Sequence, residues 1–187
     1  MIDPDVLKIE TDLVVTALHQ RYGLDFRKYS RASLERRLQG LVEKLALDHV
    51  TDLIPRLLHE PGFVDRMVNG IAVNVTEPFR DPECFAAIRE HVFPVLRTYP
   101  YFKIWHAGCA SGEEVYSMAI MLREAGLLDR AQIYATDINT DALARARDGI
   151  YTSEAIARGE KNYLAAGGTG QLADYVLQQY GSARFAN

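Results

Sequence analysis

Lys103-Ile104-Trp105-His106-Ala107-Gly108-Cys109-Ala110-Ser111-Gly112-Glu113-Glu114-Val115-Tyr116-Ser117, answered by Ile133-Tyr134-Ala135-Thr136-Asp137, decides the fold. Residues 103–107 read as a short buried strand, and Gly108 to Gly112 as a turn that brings backbone close to a ligand. After it, Val115, Met118, Ala119 and Leu122 recur at helical spacing, and Gly126 suits the position just past the helix end. Residues 133–136 form a second strand with Asp137 at its tip, which completes a βαβ half-unit.

In such a unit a ligand sits beyond the carboxyl ends of the parallel strands. The first loop lies against it, and an acidic residue about 20 positions on takes ribose hydroxyls. The layout therefore predicts a nucleoside-containing cofactor. A dinucleotide fingerprint would want G-x-G-x-x-G, whereas Gly108 and Gly112 are spaced G-x-x-x-G and the helix opens with Glu113-Glu114. Two carboxylates there suit the helix dipole but repel a phosphate dianion. They are compatible with a sulfonium and an amino group, so the loop leans towards S-adenosylmethionine over NAD or ATP. Taken alone, the same residues also make a plain tight turn.

Composition bounds the rest. The 187 residues are 48% hydrophobic and 25% charged, an ordinary globular balance with length for one large or two small domains. A net charge of −4 gives no electrostatic reason to expect nucleic acid or a membrane surface. Cys84 and Cys109 form no C-x-x-C pair, and no signal peptide is seen, which predicts a reducing cytoplasm. No apolar run approaches the ~20 residues that span a bilayer.

Working outward to the N-terminus, Asp3-Pro4 starts a helix whose apolar face is Val6, Leu7, Leu13, Val14 and Leu18, stopped at Tyr22-Gly23. A second helix runs from about Ser33 to Leu45 on Leu34, Leu38, Leu41 and Leu45. Thr51 or Asp52 caps a third, and Pro61-Gly62 separates it from a fourth between Phe63 and about Asn69. Residues 1–72 are thus expected to be a small helical domain, and residues 73–187 the start of an α/β domain. The surroundings of the second helix are basic: from Arg21 to Lys44 the chain carries Arg21, Arg27, Lys28, Arg31, Arg36, Arg37 and Lys44 against Asp25, Glu35 and Glu43. It reads either as a solvated face or as a docking surface for an acidic partner. His19, His49 and His59 have no acidic or thiol neighbours at metal-ligand spacing, and no metal site is expected.

Between the two domains lies Asn74-Val-Thr-Glu-Pro-Phe-Arg-Asp81, where Glu77-Pro78 favours extended backbone and five polar residues crowd beside apolar ones. Asp81 is expected to cap the next helix, with Pro82 in its first turn and Phe85, Ile88, Val92 and Phe93 on one face. In the tail, Leu172 to Tyr180 has helical pattern, and Arg184-Phe185 can begin a third strand.

These stretches together, with Ala142-Leu-Ala-Arg-Ala-Arg-Asp-Gly-Ile-Tyr151, resemble the CheR family of chemotaxis receptor glutamate methyltransferases in four motifs in the same order. The resemblance implies a helical receptor-docking domain followed by a Rossmann-like α/β domain. That domain uses S-adenosylmethionine, leaving S-adenosylhomocysteine, to methylate glutamates on the helical signalling domain of chemoreceptors. It assigns Asn74, Thr76 and Arg80 to cofactor contact, with Arg80 also reaching a reacting carboxylate and so the one catalytic candidate. Gly108 belongs to the cofactor loop, Glu113 takes the cofactor's amino group, Asp137 takes the ribose, and Glu114 is left to cap its helix. Arg31, Arg36 and Arg37, with Tyr151, become candidates for guiding an acidic receptor helix.

The chain departs from the family pattern in Pro78-Phe79, in Val115, and in stopping at Asn187 before the family's Asn-Leu contact and later strands. The expectation is therefore an incomplete cofactor fold with open sheet edges, weak cofactor binding, and self-association or partner contact through those edges. The alternative is a non-catalytic module that recognises receptors or a regulatory ligand.

Overall fold

Asp3 accepts a hydrogen bond from the Asp5 N–H at 2.9 Å, with Pro4 in the first turn, and starts helix α1, Pro4–Tyr22. Gly23, at φ 72°, ends it by donating its N–H to the His19 carbonyl. The structure, a computed structural model, describes residues 3–72, 76–179 and 181–185. It divides into two units, Met1–Val73 and Asn74–Asn187.

The first unit is helical. After α1 come α2 (Arg31–Lys44), a 3-10 turn (Val50–Asp52), α3 (Leu53–His59) and α4 (Phe63–Ile71). Leucines three and four apart on α2 put Leu34, Leu38 and Leu41 on one stripe. That stripe closes with Val14 and Leu18, Leu53 and Leu57, and Phe63 and Met67 into one core. Two polar ties fix the packing. The buried Glu10 carboxylate accepts from Thr51 Oγ1 (2.8 Å) and from the Val50 N–H (3.3 Å), and the Tyr22 hydroxyl donates to the Leu57 carbonyl at 2.7 Å.

The second unit opens with one helical stretch, α5 (Pro82–Ala87), a wider π turn (Ile88–Val92) and α6 (Phe93–Leu96). Pro94 has no N–H to offer the Glu90 carbonyl and its ring crowds that turn, which accounts for the widening. Strands β1 (Phe102–Ala107) and β2 (Ala131–Thr136) pair in parallel with Ile104 opposite Ile133 and His106 opposite Ala135. Helix α7 (Glu113–Glu124) joins them, and α8 (Thr140–Asp148) follows β2. The period of two turns Ile104 and Ile133 towards a core of Phe79, Phe85, Met118, Met121, Leu122 and Tyr163. It leaves Trp105 68% and Tyr134 43% exposed on the other face. As expected, this face of the parallel pair is left uncovered by the described residues.

The tail differs from expectation. Helix α9 (Ser153–Ala165) is followed by a 3-10 turn (Leu172–Tyr175) and β4 (Val176–Gln179) where helical pattern had suggested a helix. Leu172 and Val176 are four apart, but Val176 and Phe185 pair across an antiparallel ladder, and pairing outweighs local spacing. Arg184 and Phe185 do sit in a strand, β5 (Ser182–Phe185). It joins β4 and β3 (Ile150–Thr152) in a separate three-stranded antiparallel sheet, not the parallel one. The Phe185 ring stacks on Tyr116 at 4.6 Å between centroids, fastening that sheet to α7. Asp81 also departs from its expected role: at φ 58° its side chain makes no cap bond, and its backbone carbonyl accepts from the Cys84 N–H instead.

Candidate functional site

The loop after β1 is stitched to the tip of β2. The N–H groups of Gly108 and Cys109 both donate to the Thr136 carbonyl, at 2.8 and 2.9 Å. The Asp137 carboxylate takes the next turn: Oδ2 accepts from the Ala110 N–H and Oδ1 from the Asn139 N–H, each at 2.7 Å. Asn139 in turn caps α8 by accepting from the Ala142 N–H. Asp137 thus holds the loop and the start of α8 in one arrangement, and each of its oxygens keeps a lone pair for a ligand hydroxyl.

The two glycines of the loop face different surroundings. Gly108, at φ 83°, has open space where a side chain would be, so a ligand can approach its backbone. Gly112, at φ 93°, is packed: a Cβ there would lie 2.9 Å from the Ala146 Cβ and 3.1 Å from the Tyr151 hydroxyl. That hydroxyl donates to the Ser111 carbonyl at 2.6 Å. Burial, with Glu113 nearby, pushes the Tyr151 phenol far above its ordinary range. Tyr151 is 8% exposed, so the expectation that it guides a partner helix at the surface does not hold.

Glu113 and Glu114 are separated by the helix turn. Glu113 is 7% exposed and accepts from Ser111 Oγ at 2.8 and 3.1 Å. Its backbone carbonyl accepts from Ser117 Oγ, which itself accepts from the Phe79 N–H at 2.9 Å and so ties the connector to α7. Glu114 turns the other way. Its Oε1 is 2.7 Å from His106 Nδ1, and both residues line a cleft of about 130 Å³ with Thr76, Glu77, Arg80 and Asp81, in which Arg80 Nε lies 3.8 Å from Asp81 Oδ2.

The cleft brings together Thr76 and Arg80 from the connector, but neither Gly108 nor Glu113 lines it. Asp137 borders a larger groove of about 480 Å³ between α7 and α8, with Gly112, Val115, Leu143 and Arg147. Asn74 lies outside the described residues. Within the helical unit, the three arginines have different surroundings. Arg31 binds Asp12, Glu35 and the Lys8 carbonyl, Arg37 donates to the Ala72 carbonyl at 2.9 Å, and Arg36 is exposed. Spacing on a helix could not reveal that Arg31 is used up inside its own domain.

The chemistry of the α/β site follows from these donors and acceptors. Among the described residues no cluster of His, Cys, Asp and Glu is arranged to hold a metal ion. Cys109, beside the loop, has its thiol pushed up by burial and by the Asp137 charge, which disfavours the nucleophilic thiolate. What remains is an open glycine backbone, a carboxylate at a strand tip, and a small polar cleft holding one guanidinium. With the parallel β1 and β2 joined through α7, they define the class: a Rossmann-like α/β unit.

Comparison with known proteins names the family. Residues 74–171 match the CheR methyltransferase SAM-binding domain and residues 9–72 match the CheR methyltransferase all-alpha domain. The chain belongs to the CheR methyltransferase family, and S-adenosylmethionine is the cofactor of its α/β domain. It is 46% identical to the Pseudomonas putida protein Cher3 over 94% of this chain and 64% of that protein. To the chemotaxis protein methyltransferase of Borreliella burgdorferi it is 29% identical over 93% of this chain and 65% of that protein. To chemotaxis protein methyltransferase 2 of Pseudomonas aeruginosa it is 35% identical over 73% and 50%. The chain therefore spans about 64–65% of the length of its first two relatives. No helix among the described residues is long and apolar enough to cross a membrane.

Proposed function

We propose that this chain carries the cofactor-binding part of a protein-glutamate O-methyltransferase acting on the cytoplasmic helical domain of chemoreceptors. The observation that carries the reading is the placement of Thr76 and Arg80, from the connector, in one cleft with Glu114 at the head of α7. The cofactor supplies an electrophilic methyl group on a sulfonium. A glutamate carboxylate is already ionised near neutral pH, so its attack needs no general base. The protein's part is orientation and exclusion of water. Arg80 orients a carboxylate by its guanidinium fork, Gly108 gives backbone access, and Asp137 keeps the loop in place while offering acceptors to the ribose.

Docking is assigned to the helical unit, where Arg36 is exposed to an acidic partner while Arg31 is held by Asp12 and Glu35. The family comparison lends no support to a purely non-catalytic module. The test is transfer of labelled methyl from S-adenosylmethionine to receptor-enriched membranes. Base-labile label, as a glutamyl methyl ester gives, is expected, falling at least about 100-fold in Arg80→Ala and Asp137→Ala. Base-stable label, or undiminished transfer in both variants, contradicts the assignment.

A further inference from the structure

His106 stands out once the family's motif positions are set aside. It lies on β1, 5% exposed, with Nδ1 held at 2.7 Å by Glu114 Oε1. Its other ring nitrogen, Nε2, is buried without a hydrogen-bond partner in the protein. A buried polar atom left in that state costs free energy unless something else satisfies it. The imidazole lines the same cleft as Arg80 and Thr76. An ionised Glu114 can only accept, so Nδ1 carries a hydrogen, and in the neutral imidazole Nε2 then presents a lone pair.

The lining carries His106 and the carboxylates of Glu77, Asp81 and Glu114, with the Arg80 guanidinium 3.8 Å from Asp81, so it offers acceptors to an ammonium group and one guanidinium to a carboxylate. We infer that His106, oriented by Glu114, is a positioning residue that accepts a hydrogen bond from the α-ammonium group of the cofactor's methionyl end, while Arg80 faces its α-carboxylate. This rests on the S-adenosylmethionine reading of the site. It also reassigns the partner of the amino group from Glu113, which is buried on Ser111, to the His106–Glu114 pair. The cleft, at about 130 Å³, has room for an amino-acid end and not for a nucleoside.

The test is an NMR-followed titration of the full chain at about pH 8, where an ordinary histidine is neutral. Two ligands are compared: S-adenosylhomocysteine, and 5′-methylthioadenosine, which has the same adenosine and thioether but no amino-acid end. The wild type should bind S-adenosylhomocysteine more tightly, and His106 Nε2 should shift with that ligand and not with the other. In His106→Phe, which keeps a ring but removes the acceptor, affinity for S-adenosylhomocysteine should fall about 10- to 100-fold while that for 5′-methylthioadenosine changes less than about twofold. His106→Gln, which restores an acceptor, should recover most of the loss. Equal loss for both ligands, no loss, or a wild type that binds both equally overturns the role given to His106 and leaves the cofactor reading standing. A wild type that binds neither overturns the cofactor reading itself, and the inference with it.

Discussion

The helical unit closes its own core, whereas the α/β unit leaves one face of its parallel strands bare. In the first, four helices surround Leu38, Leu53, Leu57, Phe63 and Met67, all fully buried. Its charges are also used internally: Arg31 serves Asp12 and Glu35, and Arg27 holds the Asp25 carboxyl well below the usual range. In the second, Phe79, Met121, Leu122 and Tyr163 are equally buried, yet Trp105 and Tyr134 lie in solvent on the outer face of β1 and β2. The difference teaches that a helical domain can satisfy itself from local repeats. A parallel sheet of two strands needs further layers to bury both faces.

The largest effects should come from the two cores and should be confined to one unit each. Phe79→Ala removes a fully buried ring that packs on Phe85 and Tyr163 at 5.3 and 5.2 Å. It should cost the α/β unit about 3–5 kcal/mol. Leu38→Ala should cost the helical unit about 2–5 kcal/mol. Denaturant unfolding followed by residue-resolved NMR checks both. If either substitution lowers the two units' midpoints together, the two cores are not independent.

A smaller effect separates the units by pH. Burial raises the phenols of Tyr151, Tyr163 and Tyr175, with Glu124 adding to the last two. A raised folded value means the stabilisation is intact below the unfolded tyrosine value, about 10, and is lost as pH rises beyond it. The α/β unit should therefore weaken above about pH 10. Tyr151→Phe should make that decline shallower, and at neutral pH should cost about 1–3 kcal/mol for the deserted Ser111 carbonyl. A Tyr151→Phe protein with an unchanged alkaline slope would remove Tyr151 from that account. The smallest effect is at the bare face. Trp105→Ala should change stability by less than about 0.5 kcal/mol. Fluorescence of this single tryptophan should be readily quenched by acrylamide, and protection from quenching at high protein concentration would mean that the face is covered by another copy.

Much of this architecture was legible because it is local. Helix α1 follows from Asp3-Pro4 and Tyr22-Gly23, and β1, α7 and β2 follow from the change of apolar period across Gly108 and Gly112. The strand at residues 176–179 was hidden because Leu172 and Val176 mimic a helix until β5 supplies a partner. Asp81 misled because a good capping residue sits at a left-handed backbone angle. His106 was passed over, although alternation with Ile104 places it on the inner face of β1, eight residues before Glu114. Its meaning depends on α7 folding back over the strand, which no spacing within either element announces.

The central claim is that Arg80, the loop from Gly108 to Gly112 and Asp137 form the cofactor cradle. Hydrogen exchange of the full chain with and without saturating S-adenosylmethionine tests it most directly. The account predicts slowed exchange in peptides covering residues 76–81, 106–114 and 136–139, with the helical unit unchanged. Protection confined to the helical unit, or to segments away from those three, would contradict it.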